Sequence, residues 1–193
     1  MGQRIQTLQL LHHLETYTGE HRGTESQPHN RPHCQYSLER FDHTAASLTT
    51  ITSNGLRFLD NDAPFGEEIA CTLRTSQAGY TRAIIGAMCE YVTQNRTGIE
   101  YTQIFDNDTE LFDGTGKQGL LAATHPYFAT GFNYLTQGPT ATLTREVVNL
   151  QIVTLIPITR QEIELAARDT DLLYDHWDET NPDLLDIVRP TTI

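Results

Sequence analysis

The stretch Glu146-Val147-Val148-Asn149-Leu150-Gln151-Ile152-Val153-Thr154-Leu155-Ile156-Pro157-Ile158-Thr159-Arg160-Gln161-Glu162-Ile163 carries the densest set of agreeing local signals in the chain. Its even positions from Val148 to Ile156 are apolar apart from Thr154, and Val153 and Leu155 make the second face apolar as well. That pattern suits an inner strand covered on both sides near its end. Pro157 lacks an N–H and is expected to end the ladder. Thr159 and Glu162 then have the spacing of a capping box, with Ile158 and Ile163 at the positions of a hydrophobic staple. Beyond them Ile163, Ala166, Ala167, Leu173, Tyr174 and Trp177 recur at three- and four-residue steps and predict one helical face. His176, in the last helical turn, suits an interaction with the helix C-terminus.

Upstream, Ile5, Leu8, Leu11, Leu14 and Tyr17 predict an amphipathic helix from Gln3 to Tyr17, ending at Gly19. The polar segment Glu20 to Pro32 reads as an exposed loop. Cys34 to Phe41 and Ser47 to Ser53 read as strands joined by a turn near Asp42-His43. In Glu67 to Thr75, Ile69, Cys71 and Leu73 alternate with Glu68, Thr72 and Arg74, a third strand. Tyr80 to Thr93 has Ile84, Ile85, Met88, Cys89 and Val92 on one helical face. Gly98 to Gly138 is less legible: a strand begins at Ile104-Phe105, Gly114 to Gly119 turns, Gly119 to Thr124 reads as strand, and Ala141 to Leu143 as a short one. Strands grouped early, helices between and after them, and no βαβ alternation predict an α+β fold: a mixed, mostly antiparallel sheet with two or three packed helices in a single domain. Residues 1–33 would form an N-terminal helix and polar loop, and residues 34–193 the α+β unit, one compact domain overall.

The cassette Pro157-Ile158-Thr159, Glu162, a helix, an acidic spacer and Asp186-Ile187-Val188-Arg189-Pro190-Thr191 resembles the end of a suppressor of fused-like (SUFU) domain. Leu48-Thr49-Thr50-Ile51-Thr52-Ser53-Asn54-Gly55-Leu56 is similar to the family's strand and Gly turn, and Glu67-Glu68-Ile69-Ala70-Cys71-Thr72-Leu73 to its following Glu-rich strand. The likeness runs from Tyr36 to Thr191 as scattered short motifs and lapses between Gly98 and Gly138. The resemblance implies a bacterial single-domain member that grips other proteins without catalysis. In animals such domains sequester a transcription factor, capturing a peptide by strand addition with two domains where this chain has length for one. Many bacterial members look like immunity proteins that neutralise toxins.

A length of 193 residues fits one domain with a substantial core. With 38% hydrophobic residues and a mean hydropathy of −0.42 the chain is polar, yet not so polar as to be disordered. No apolar segment is long enough to cross a bilayer, and Met1 to His13 lacks the build of a secretory leader, so a soluble cytoplasmic protein is expected. Cys34, Cys71 and Cys89 lack metal or redox spacing and read as free buried thiols. The sequons at Asn95 and Asn107 mean nothing without secretion. A net charge of −12 argues against nucleic acid and anionic membranes as partners. Lys117 is the only lysine, a usage that suits a GC-rich bacterial genome.

No motif supplies a catalytic, cofactor or metal site. His12 and His13 diverge by about 100° on a helix and cannot chelate together. His21, His29 and His33 lie in polar chain without a companion Cys or carboxylate set of zinc spacing. Asp106 to Asp113 resembles a calcium loop, but Leu111 and Lys117 stand where the Gly and the bidentate Glu are required. Gly114 to Gly119 fails as a phosphate loop, because Leu111 replaces the first Gly and Gln118 the hydroxyl. None of the serines lies in Gly-x-Ser-x-Gly. The rival class is a hydrolase or metal-dependent enzyme using His125 or the polar-segment histidines with carboxylates from Asp106 to Asp113. A third is a homo-oligomer formed through an uncovered edge strand.

One charge feature stands apart. Asp169, Asp171, Asp175, Asp178, Glu179, Asp183 and Asp186 occur with no Lys or Arg among them. The first six form the candidate partner-binding residues, an electrostatic docking surface for a basic protein such as a toxin. Trp177 beside them has the register of a core residue.

Overall fold

The structure, a computed structural model, describes residues 6–26, 36–60, 66–136 and 147–193. In chain order the elements are α1 (Thr7–Thr18), β1 (Glu20–Ser26), β2 (Ser37–His43), β3 (Leu48–Asn54), β4 (Gly66–Arg74), α2 (Ala78–Asn95), β5 (Ile104–Asp106), β6 (Lys117–Ala123), β7 (Tyr134–Thr136), β8 (Val148–Thr159), α3 (Arg160–Arg168) and α4 (Thr170–Thr180). The sheet order is β1-β2-β3-β4-β8-β6-β5, and β7 also pairs with β8. Among the described residues only β4 and β8 run parallel; the other pairings are antiparallel. This is the α+β class with a mixed, mostly antiparallel sheet. The described helices number four, where two or three were expected. None of them is long and apolar enough to cross a membrane.

Strand alternation sorts the core into two faces. Ile69, Cys71 and Leu73 of β4 and Val153 and Leu155 of β8 meet Ile84, Ile85, Met88 and Cys89 of α2. On the other face the even positions of β8 divide. Leu150 and Ile152 pack with Leu10 and Leu14 of α1, whereas Ile156 and Ile158 pack with Ile163, Leu173 and Trp177 of α3 and α4. The inner strand is therefore covered on both sides, as its apolar double face requires.

Four expectations are corrected. Glu20–Ser26 is a strand, not a loop, because β2 gives it backbone partners; the buried carboxylate of Glu39 also takes Nε2 of His21 at 2.9 Å and the Thr24 hydroxyl at 2.6 Å. Pro157 does not end β8, which continues to Thr159 with Leu120 opposite Pro157. The Pro157 carbonyl accepts from Arg189, so the position that lacks an N–H faces away from β6, where proline costs the ladder nothing. The last helix breaks at Asp169, whose extended backbone (φ −163°, ψ 121°) ends α3 while its side chain accepts from the Asp171 N–H to start α4. In α1, Leu8 is 79% exposed while Leu10 and Leu14 are buried. A strict three-residue repeat turns by 300° per step and drifts around the helix, whereas four-residue steps stay on one side.

β2 to β6 and α2 fall within a few residues of their expected limits, whereas β7 was not expected and is made extended by pairing with β8. Cys34, His29, His33, Ile5 and the strand expected at Ala141 to Leu143 lie outside the described residues.

Between the diverging ends of β4 and β8 lies the C-terminal segment. Leu185, Ile187 and Arg189 are buried and Val188 is exposed along two successive turns, closed by Asp186 N–H to the Asp183 carbonyl and Arg189 N–H to the Asp186 carbonyl. The Leu185 carbonyl accepts from the Arg74 amide at 2.9 Å, and the Gln77 side chain holds Asp186 and the Ile187 N–H.

Candidate interaction surface

The acidic surface is set by the phase of α4. Leu173 and Trp177 point into the core, each burial stabilising by roughly 1.5–3 kcal/mol. Helical periodicity then puts Asp171, Asp175, Asp178 and Glu179 on the outward side, at spacings of four, seven and eight residues. All are exposed, and among the described residues their carboxylates take no hydrogen bond or ion pair. Asp169 and Asp183 are also exposed but have local work: Asp169 caps α4, and Asp183 pairs with Arg74 and accepts from the Leu185 N–H. His176 does not cap the helix end; its Nε2 meets the Thr192 hydroxyl at 2.8 Å.

Beside this face is a groove of 570 Å³ between α4 and the turn after β6. Tyr174, Trp177 and Asp178 line it from α4, Pro126 and Tyr127 from the turn after β6, and the paired Arg74 and Asp183 line it as well. The sequence did not mark it, since Arg74, Tyr127 and Trp177 come from three distant segments. Tyr127, in the turn that follows His125-Pro126, is 56% exposed in the fold.

His125 holds that turn. Its Nδ1 accepts from the amides of Tyr127 and Phe128 at 3.1 and 3.0 Å, so Nε2 carries the proton and donates to Thr72 at 2.9 Å. The ring stacks on Phe128 with centroids 4.1 Å apart. Burial lowers its pKa to about 3, and the imidazole is neutral. The acids of Asp106 to Asp113 follow β5 at the far end of β6, about 20 Å of strand away. There Asp106 pairs with Arg160 at 2.9 Å and Glu110 accepts from the Gly114 N–H. The rival site thus has its histidine and carboxylates at opposite ends of one strand. Among the described residues no three His, Cys, Asp or Glu side chains gather to hold a metal. Burial pushes the Cys71 thiol up to about 12, far from a reactive thiolate.

Lys117 is not presented to a phosphate either. Its ammonium is buried and donates to the Arg189 carbonyl at 2.7 Å. Burial, reinforced by the Arg189 charge and opposed by Glu162 and Asp186, lowers its pKa to about 8. The unfolded lysine, near 10.5, binds more protons between these values, so stability rises as pH climbs from about 8 to about 10.5. Urea midpoints at both ends of that window, compared with those of Lys117→Met, should show the variant lacking this rise.

The family model for suppressor of fused protein (SUFU) matches residues 35–190. No curated protein matches the chain. Among solved structures, a SUFU homolog from Neisseria gonorrhoeae FA 1090 is similar at 17% identity and a TM-score of 0.66, with 97% of this chain and 96% of that one covered. At that identity the likeness speaks for the fold, and it is the fold built above: a mixed sheet with helices on both faces. With four-fifths of its length matched by the family model, the chain belongs to the suppressor of fused (SUFU) family.

Proposed function

We propose that this SUFU-family domain is a non-catalytic protein-binding module whose outward α4 face docks a basic protein, and that its role is that of a cytoplasmic immunity protein neutralising a toxin. The observation that carries the reading is a set of carboxylates unpaired among the described residues, Asp171, Asp175, Asp178 and Glu179, on one side of a helix whose other side is anchored in the core. Such a fixed, single-sign field accelerates encounter with a cationic surface and repels anionic ones. The buried carboxylates support a non-catalytic reading, because they are occupied by structural donors. Glu39 accepts from His21, Thr24, Ser37 and Asn54, and Glu162 from Thr159, Trp177 and Arg189.

The test is association with the product of an adjacent toxin reading frame, followed by surface plasmon resonance across salt. The on-rate should fall roughly tenfold between low and physiological ionic strength. Neutralising the face (Asp171→Asn, Asp175→Asn, Asp178→Asn, Glu179→Gln) should flatten that dependence, and co-production should rescue growth from the toxin. An on-rate indifferent to salt, or growth that is not rescued, would count against the docking face and the immunity role respectively.

A further inference from the structure

We propose that the groove between α4 and the turn after β6 receives an arginine side chain of the basic partner, stacked against Tyr127 and Tyr174 and hydrogen-bonded to Asp178. This deepens the acidic-face reading and rests on it. Tyr127, from the turn after β6, and Tyr174, from α4, both line the groove, with Trp177 beside Tyr174 at a centroid distance of 5.9 Å. The Tyr127 wall is held in place, since the amides of Tyr127 and Phe128 both donate to the locked ring of His125. Asp178 lines the same space with its carboxylate unpaired among the described residues.

The choice of occupant follows from charge and shape. A planar guanidinium can lie against an aromatic face while its fork bonds a carboxylate; the compact, strongly hydrated ammonium of lysine does this less well. An acidic segment would meet Asp178 and a net charge of −12. Half of that arrangement is already present in the groove lining, where the Arg74 guanidinium pairs with the Asp183 carboxylate. An incoming arginine would compete with Arg74 for that second carboxylate.

The experiment is a titration of the isotope-labelled full chain with amidated tri-arginine and tri-lysine peptides at low salt, followed by amide chemical shifts. Tri-arginine should move Tyr127, Tyr174 and Asp178 together and bind several-fold more tightly than tri-lysine. Tyr127→Ala should weaken tri-arginine roughly two- to fivefold. Arg74→Ala should strengthen it by a similar factor, because it releases Asp183 from an exposed ion pair; a variant that merely damaged the groove would weaken it. Shifts confined to Asp171, Asp175 and Glu179, unchanged by Tyr127→Ala, would overturn the groove while leaving the acidic face as the docking surface. No shift anywhere with either peptide would overturn both.

Discussion

Glu68→Ala is expected to destabilise the fold by about 3–5 kcal/mol, the range for removing one partner of a buried ion pair, and to lower the melting temperature by roughly 10 °C. Glu68 is fully buried in β4. Its carboxylate accepts from the Ser53 hydroxyl at 2.5 Å and from the amides of Gly55, Leu56 and Arg57 at 2.8, 3.2 and 3.4 Å, and it pairs with the Arg57 guanidinium. Gly55, at φ 138°, makes the sharp exit from β3 that turns those consecutive amides onto one acceptor. Arg57 also reaches Asn54 and, in α1, the hydroxyl of Thr7. Removing the carboxylate leaves several buried donors unsatisfied and takes the Glu68 carboxylate from the buried Arg57 guanidinium. Glu68→Gln keeps an acceptor and should lose less. Urea unfolding followed by circular dichroism measures both; a loss below about 1 kcal/mol for Glu68→Ala would show that the turn is held by other means.

Arg189→Ala is the second large effect, again about 3–5 kcal/mol, with a pH signature. Burial pushes the Glu162 carboxyl up, but the Arg189 hydrogen bond and charge, the Thr159 amide and the Trp177 indole together outweigh it and hold the group below its ordinary value of 4.5. A carboxyl depressed in the folded state contributes stability above its unfolded pKa and loses it as pH falls through the folded one. The deficit of Arg189→Ala is therefore full at neutral pH and shrinks on acidification below about 4.5. The variant also frees the C-terminal segment from the Pro157 carbonyl, so amide exchange at Ile187 should accelerate more than exchange in α2. A deficit that does not change with pH would mean that Arg189 acts by packing alone.

These two clusters show where reading the chain succeeds and where it stops. The Thr159–Glu162 capping box and the Ile158–Ile163 staple were legible because their partners lie within five residues, and both are present, Thr159 N–H to Glu162 at 2.7 Å and the two isoleucines in one core. The strand that precedes them was legible because its apolar faces alternate. Glu162 was legible only as a capping residue; its pairing with Arg189, 27 positions on, carries no local mark. Glu68 read only as a residue alternating with Ile69, Cys71 and Leu73; its burial and its bonds to the β3 turn carry no local mark. The strand at Glu20–Ser26 was missed for the same reason: its composition is that of a loop, and only pairing with β2 makes it extended.

The candidate surface divides along the same line. Helical phase alone put Asp171, Asp175, Asp178 and Glu179 on one side of α4, and composition alone supplied the negative field. Tertiary packing settled the rest: that Asp169 and Asp183 are occupied, that a groove opens beside the acids, and that His125 stands at the wrong end of β6 to meet the loop carboxylates. Hydrogen bonds across a single turn and the periodicity of side chains are written in neighbouring residues. Pairings between segments tens of residues apart depend on which surfaces the folded chain brings together, and no short stretch of residues encodes that.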